Sequence, residues 1–295
     1  MPKERPRLFL IDRTSEVLVM LRGLYTAASG MLAQERRVDW LTNNLANAET
    51  PGYKADAAAM RAFPELLMSR LEDQPIPTAS RRAIPTQTVI GPLVTGVYMQ
   101  ELIPNFRQGD VKETGLATDI ALVDGQVPVD RASRQRGALF FAVANGQGEV
   151  RYTRNGHFTL SPDGYLTTQE GWYVLDANGE RIPLSSERFS VRDDGTIIDE
   201  NGTATRLGVA FAANPQTLVK EGNGLFRSTT GPLPQAPGNV TYTVKQRFLE
   251  RSNVDIERTM TDLLAAYRTF EANQKIVQAY DRSLDKAVNE VGRLK

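Results

Sequence analysis

Residues 21–48 carry Leu21, Leu24, Ala28, Met31, Val38, Leu41, Leu45 and Ala48 at steps of three, four, three, seven, three, four and three. That spacing predicts an amphipathic helix with a near-heptad apolar stripe. It stops at Glu49-Thr50-Pro51-Gly52, because proline cannot continue a helix and disfavours one just before it. A matching stripe closes the chain: Ile256, Met260, Leu263, Tyr267, Phe270, Val277, Leu284, Val288 and Val291 share one alternating three-four register, interrupted by Gln274 and Asp281. Ser252-Asn253 is the expected cap of this second helix, with Asp255 and Glu257 in the first turn, where negative charge suits the helix dipole.

Between the stripes the period changes. Residues 55–70 are expected to continue as a short helix. Residues 73–92, with Pro75, Pro77, Pro85 and Pro92, read as an extended linker. From about residue 93 the pattern becomes β. The dipeptides Asn155-Gly156, Asp163-Gly164, Asn178-Gly179, Asp194-Gly195 and Asn201-Gly202 suit tight hairpins, and alternating runs such as His157-Phe158-Thr159-Leu160 flank them. The expected fold is therefore α+β: N- and C-terminal helices forming a coiled-coil-like assembly domain around an inserted, mostly antiparallel β domain. Its divisions are 1–20, an extension; 21–54, a helical segment; 55–92, a linker; 93–248, the β domain; and 249–295, the second helical segment. A single apolar stripe cannot hide itself in water. The terminal helices could pair with each other, with the β domain or with copies of themselves. The β segment, roughly 92–244, has the alternation to form its own core, and the helices are expected to be frayed in dilute monomer for want of a partner in their own chain.

Composition narrows the function. Lysine plus arginine balance aspartate plus glutamate at 35 each, so no net charge drives binding to nucleic acid or anionic lipid. The absence of cysteine excludes disulfides, thiolate metal sites and cysteine nucleophiles. No stretch approaches the ~20 apolar residues of a membrane helix, and Leu8–Ile11 is too short for a signal-peptide core. The single histidine, His157, sits beside an Asn-Gly turn and reads as a strand residue. Asp193-Asp194-Gly195 with Asp199-Glu200 lacks the ligand spacing of a calcium loop, and Ser29 has no nucleophile-elbow pattern. No catalytic residue, cofactor, metal or small-molecule substrate is expected.

Two long motifs go further. Leu21-Arg-Gly-Leu-Tyr-Thr-Ala-Ala-Ser-Gly-Met31, followed by Asn43-Asn-Leu-Ala-Asn47 and Thr50-Pro-Gly-Tyr-Lys54, resembles the N-terminal signature of flagellar basal-body rod and hook proteins. Leu249-Glu-Arg-Ser-Asn-Val-Asp255 followed by Tyr267-Arg-Thr-Phe-Glu-Ala-Asn273 resembles their C-terminal signature. Thr114–Ala121, Phe140-Phe-Ala-Val143 and Tyr152-Thr-Arg-Asn-Gly-His-Phe158 are similar to the β-domain signatures. The length of the β middle is that of the distal-rod type, similar to the paired distal-rod-like proteins of Gram-positive bacteria.

The resemblance implies a structural subunit that leaves the cytoplasm unfolded through the flagellar type III export apparatus and polymerises with itself and with other rod and hook subunits in the basal body. The assembly interface it implies runs through Leu24, Ala28, Met31, Val38, Leu41, Asn44, Leu45, Asn47, Pro51, Gly52 and Tyr53 at one end. At the other it runs through Asn253, Ile256, Met260, Leu263, Tyr267, Phe270, Asn273, Val277, Leu284 and Val288. A secreted β-rich hydrolase or carbohydrate-binding module and a cytosolic α+β binding protein are the competing classes. The first does not account for two matched terminal stripes, and the second predicts helices that are rigid in the monomer. The signature begins at a methionine directly before Leu21-Arg-Gly-Leu24, so the natural start is expected at Met20, with residues 1–19 outside the protein. The intact mass of the native protein checks this expectation.

Overall fold

The computed structural model describes residues 12–75, 83–129 and 135–291. Helix α1 spans Asp12–Ala46 and helix α2 spans Ile256–Lys286, running into a π-helical turn at Ala287–Val291. All 19 strands described lie between them, so the α+β class is observed. The helix begins well before Leu21, since residues 12–20 contain neither proline nor glycine to stop it. The expectations of a short helix over 55–70 and of an extended linker over 73–92 need correction. Asp56–Ala62, Leu66–Pro75 and Ala83–Leu93 are strands. Leu66–Pro75 pairs antiparallel with Ala83–Leu93 over its whole length, and Pro85 and Pro92 are accommodated because a two-stranded ribbon leaves each strand one edge that needs no donor.

The chain divides into two compact units. Among the described residues, the first holds 12–42, 58–75, 83–102 and 260–291. Here α1 and α2 lie against one another within the same chain. A Cβ on Gly23 would collide with the Tyr280 ring, and one on Gly30 would meet the Asn273 amide at 2.9 Å. Arg37 Nη2 lies 3.4 Å from Asp262 Oδ1. Ala27, Ala33, Leu41 and Ala266 are buried. The helices thus have each other as partners, correcting the expectation that they lack one. Small residues at a repeating interval on α1 allow the bulkier α2 side chains to approach. Loop 94–97 is anchored on α1 as well: Thr26 Oγ1 donates to the Thr95 carbonyl at 2.9 Å, and the Val97 amide donates to Ser29 Oγ at 3.4 Å.

The second unit holds residues 43–57 and 103–259. Its main antiparallel sheet is organised around Ala138–Ala144. Val150–Thr153 pairs along one edge of that strand, and Val209–Ala212 and Tyr173–Val174 share the other. Leu225–Ser228 and Leu218–Gly222 extend the sheet at one end; Leu166–Thr168 and Phe158–Leu160 extend it at the other.

The central strand is covered on both faces, so strand alternation sorts its side chains into two cores. Leu139, Phe141 and Val143 enter the larger, with Ile120, Leu122, Phe158, Leu166, Ile197 and Val244. Ala138 and Phe140 enter the smaller, with Tyr152, Leu218 and Phe226. The adjacent phenylalanines of the Phe140-Phe141 pair therefore serve opposite faces. Gly164, Gly179, Gly195 and Gly202 take positive φ as hairpin turns require. Asn155-Gly156 is no such turn: it passes against the Ile120 backbone, whose amide donates to the Gly156 carbonyl at 3.0 Å.

Gly23→Val should lower the stability of the helical unit by about 1–3 kcal/mol, the usual consequence of overpacking a close contact. Adding Tyr280→Ala should recover part of that loss. Thermal melts followed by far-UV circular dichroism check both; equal destabilisation in the single and double variants would deny the helix contact.

Candidate functional site

The end of α1 turns into the β unit through a compact polar lock. The Asn47 amide side chain donates to the Asn43 carbonyl at 2.9 Å, and Thr50 Oγ1 donates to Asn47 Oδ1 at 3.3 Å. Thr50-Pro51-Gly52-Tyr53 is a tight turn closed by the Tyr53 amide on the Thr50 carbonyl. Proline sets its second position, and Gly52 takes φ +68° at the third, as a type II turn demands. A side chain at Gly52 would also strike the backbone of Arg154 and Asn155. Asn44 Nδ2 donates to the Asp56 carbonyl at 2.8 Å, and Asn44 Oδ1 accepts the Asp56 amide at 2.9 Å. The Tyr53 hydroxyl donates to Asn43 Oδ1 and Asn44 Oδ1. Burial, then the nearby Asp56 carboxylate, pushes that phenol above its ordinary range. Lys220 Nζ lies 3.9 Å from the Tyr53 ring centre and 3.0 Å from Asp56 Oδ2.

Beneath this lock is a buried charge cluster. The Glu250 side chain is 1% exposed. Its Oε1 accepts from Lys54 Nζ at 2.7 Å and from the Gly109 amide at 2.9 Å. Its Oε2 accepts from Arg154 Nε at 2.5 Å. Arg154 spends its remaining donors on the Leu139 and Leu122 carbonyls and lies 2.8 Å from Asp124 Oδ1. Lys54 also donates to the Arg107 carbonyl at 2.9 Å. Two cations and two carboxylates are balanced out of water. Burial by itself would raise the Glu250 pKa, but the Arg154 and Lys54 charges hold it below the usual carboxylate range. Burial pushes Lys54 down, and the Glu250 charge offsets this only partly. For Arg154 burial also acts downward, yet Glu250 and Asp124 outweigh it and raise the value further.

Asn253 ties the arrangement together. Its Oδ1 accepts the Ala55 amide at 2.7 Å, and its Nδ2 donates to the Asn105 and Arg107 carbonyls. It is therefore no helix cap. That role falls to Asp255, whose Oδ1 accepts the Arg258 amide at 3.1 Å.

The cluster joins residues from three stretches far apart in sequence, and the comparisons with known proteins fall on the same three. The family profile described as "Flagella basal body rod protein" matches residues 24–54. That of the "Flagellar hook protein FlgE/F/G D1 domain" matches 136–199. That of the "Flagellar basal body rod FlgEFG protein C-terminal" matches 245–290. The flagellar hook-basal body complex protein FlhO of Bacillus subtilis is 45% identical over 278 residues, 93% of this chain and 100% of that protein. The flagellar basal-body rod protein FlgG of Agrobacterium fabrum is 32% identical over 88% of this chain and 96% of its own. FlgF of Caulobacter vibrioides is 30% identical over 93% and 100%.

This chain belongs to the flagellar basal-body rod protein family. It is a structural subunit of the basal-body rod rather than an enzyme, and its place is the basal body. Nothing favours a hydrolase or carbohydrate module. Among the described residues no group of three or more histidines and carboxylates could hold a metal, and no helix is long and apolar enough to cross a membrane. His157 Nδ1 pairs with Asp119 Oδ1 at 2.5 Å, and that carboxylate also accepts from Thr114 Oγ1. His157 thus fastens one β segment to another.

The residues expected at the rod protein's assembly interface separate into groups. Leu41, Asn44, Gly52 and Tyr53 are buried within the chain. Leu24, Ala28, Met31, Val38, Leu45, Asn47, Pro51, Asn253, Leu263, Phe270, Asn273, Val277 and Leu284 are half-buried. Ile256, Met260, Tyr267 and Val288 are exposed. Lys54, Arg154 and Glu250 stand inside the family motifs, but sequence reasoning did not assign them to the site. Their place inside those motifs was the available signal.

Glu250 gives the β unit an acid-sensitive step. Its folded pKa is depressed, so its contribution is complete above the unfolded value of about 4.3 and is lost as pH falls through the folded value. Glu250→Gln should weaken the unit at neutral pH by about 3–5 kcal/mol, because two buried cations lose their anion, and should flatten the acid limb of the stability curve. Urea melts across pH check both; an acid limb as steep as in the unaltered protein would mean that Glu250 does not titrate on unfolding.

Proposed function

We propose that the rod protein is exported unfolded through the flagellar type III apparatus and polymerises through its terminal helices, with copies of itself and other rod subunits as neighbours. The observation that carries this reading is a second apolar stripe on α2. Met260 is 48% exposed, Leu264 55% and Tyr267 50%. On α2 they lie beside the row formed by Leu263, Ala266 and Phe270, which is buried or half-buried. On α1, Tyr25 and Leu32 form a comparable open row one heptad apart. A helix with one covered and one uncovered row is suited to contact two neighbours, the arrangement of a multi-helix coiled coil. Large apolar side chains left in water mark interaction surfaces, because covering them returns ~25 cal/mol per Å². A subunit contact that does not close on itself generates a helical filament. The names of the relatives, hook-basal body complex and basal-body rod proteins, agree with such an assembly.

The two rows separate assembly from folding. Met260→Asp and Tyr267→Asp should leave the monomer's thermal transition within about 0.5 kcal/mol, as exposed substitutions do, and should abolish rod formation and motility while export continues. Phe270→Asp should instead destabilise the helical unit itself, since it places a carboxylate where the chain covers the side chain. Secretion assays, basal-body preparations and melts of the purified variants read all three. Normal rods from Met260→Asp and Tyr267→Asp would dismiss the open row as the contact surface.

A further inference from the structure

Residues 240–253 cross the β unit as a strap. Val240 and Val244 enter the larger core. Tyr242–Gln246 pairs antiparallel with Ile120–Asp124, and Phe248–Glu250 pairs with Val111–Glu113. Arg247 makes the step between the two pairings. It adopts φ +68°, its amide donates to the Asp119 carbonyl at 2.7 Å, and its carbonyl accepts the Thr114 amide at 2.8 Å. Among the described residues the strap is the sole strand partner of both segments. The strap also holds the segment after α1: the Gly52 amide donates to the Glu250 carbonyl at 2.8 Å, and the Ala55 amide to Asn253 Oδ1.

We propose that docking of this strap is the gating step in folding of the β unit, so that residues 43–57 and 103–239 stay open until 240–253 engages. Three losses coincide when it is undocked. The larger core loses Val240 and Val244. Two strands lose their only pairing among the described residues. Lys54 and Arg154, each with a side chain 2% exposed, would be buried against Asp124 alone. An unpaired buried cation is so unfavourable that the open, hydrated arrangement wins. Glu250 stands 196 residues beyond Lys54 and 96 beyond Arg154. The entropy of closing those loops is lost before any contact rewards it, which places strap docking at the top of the barrier. One consequence rests on the reading of the chain as exported unfolded. The β unit stays threadable until its last segment is available, although it buries the larger cores.

Refolding and unfolding kinetics of the full-length protein test this. Val244→Ala should slow refolding about tenfold and Glu250→Gln about a hundredfold or more, each leaving unfolding within about twofold, because a contact present in the transition state changes the folding rate. Leu218→Ala, in the smaller core, serves as reference and should act chiefly on unfolding. Pulsed hydrogen exchange on the unaltered protein adds a readout free of substitution. The amides of Ala138–Ala144 should become protected no earlier than those of Tyr242–Gln246. Strap variants that speed unfolding without slowing refolding would overturn the proposal, as would a main sheet protected before the strap. These readouts use monomer in solution. A defect in rod assembly leaves them unchanged and removes only the consequence for export.

Discussion

Glu250 is a carboxylate from which water is excluded, and it is tolerated because Lys54 and Arg154, 196 and 96 residues earlier in the sequence, both reach it. That constraint sets the geometry of the β unit. Lys54 can arrive only if α1 ends where it does and the Thr50–Tyr53 turn redirects the chain. Arg154 can arrive only if the strand before it, Val150–Thr153, lies beside Ala138–Ala144, whose Leu139 carbonyl accepts from the same guanidinium. A buried ion pair adds little net stability over a well-packed apolar replacement. Its effect is selective: any register that leaves one member behind strands a charge in the interior.

The two units solve opposite problems. The β unit satisfies its surfaces internally, with two cores on either side of one strand and its charges balanced by its own residues. The helical unit does not. Its helices cover one apolar row each and leave another in water. The proposed polymerisation would use both properties, a unit that is complete alone and a surface that is incomplete alone. The rows divide them residue by residue along α2, where Phe270 is half-buried and Tyr267 is exposed.

Much of this was legible in the sequence. Both helices followed from period alone, because an amphipathic stripe is a local property that survives any tertiary context. The hairpins at Asp163-Gly164, Asn178-Gly179, Asp194-Gly195 and Asn201-Gly202 followed from turn chemistry, which is also local. The failures were tertiary. Residues 73–92 contain four prolines that suggest a linker, yet two-stranded ribbons have free edges where proline does no harm. Asn253 has the chemistry of a helix cap and was taken by three backbone groups from elsewhere in the fold.

What the sequence determined by itself was the two terminal helices, the β middle between them and the family, since the motifs of Leu21–Lys54 and Leu249–Asn273 are contiguous patterns of side chains. What only the tertiary structure decided was which apolar positions are already covered and which charges meet. Heptad spacing placed Met260, Leu263, Tyr267 and Phe270 on a common register, but two neighbouring rows on a helix differ only in what lies beside them, and that depends on α1. Lys54, Arg154 and Glu250 each read as a surface residue in isolation, because a charge is exposed by default. Their burial became acceptable only when the fold brought all three to one point, and no local pattern records that meeting.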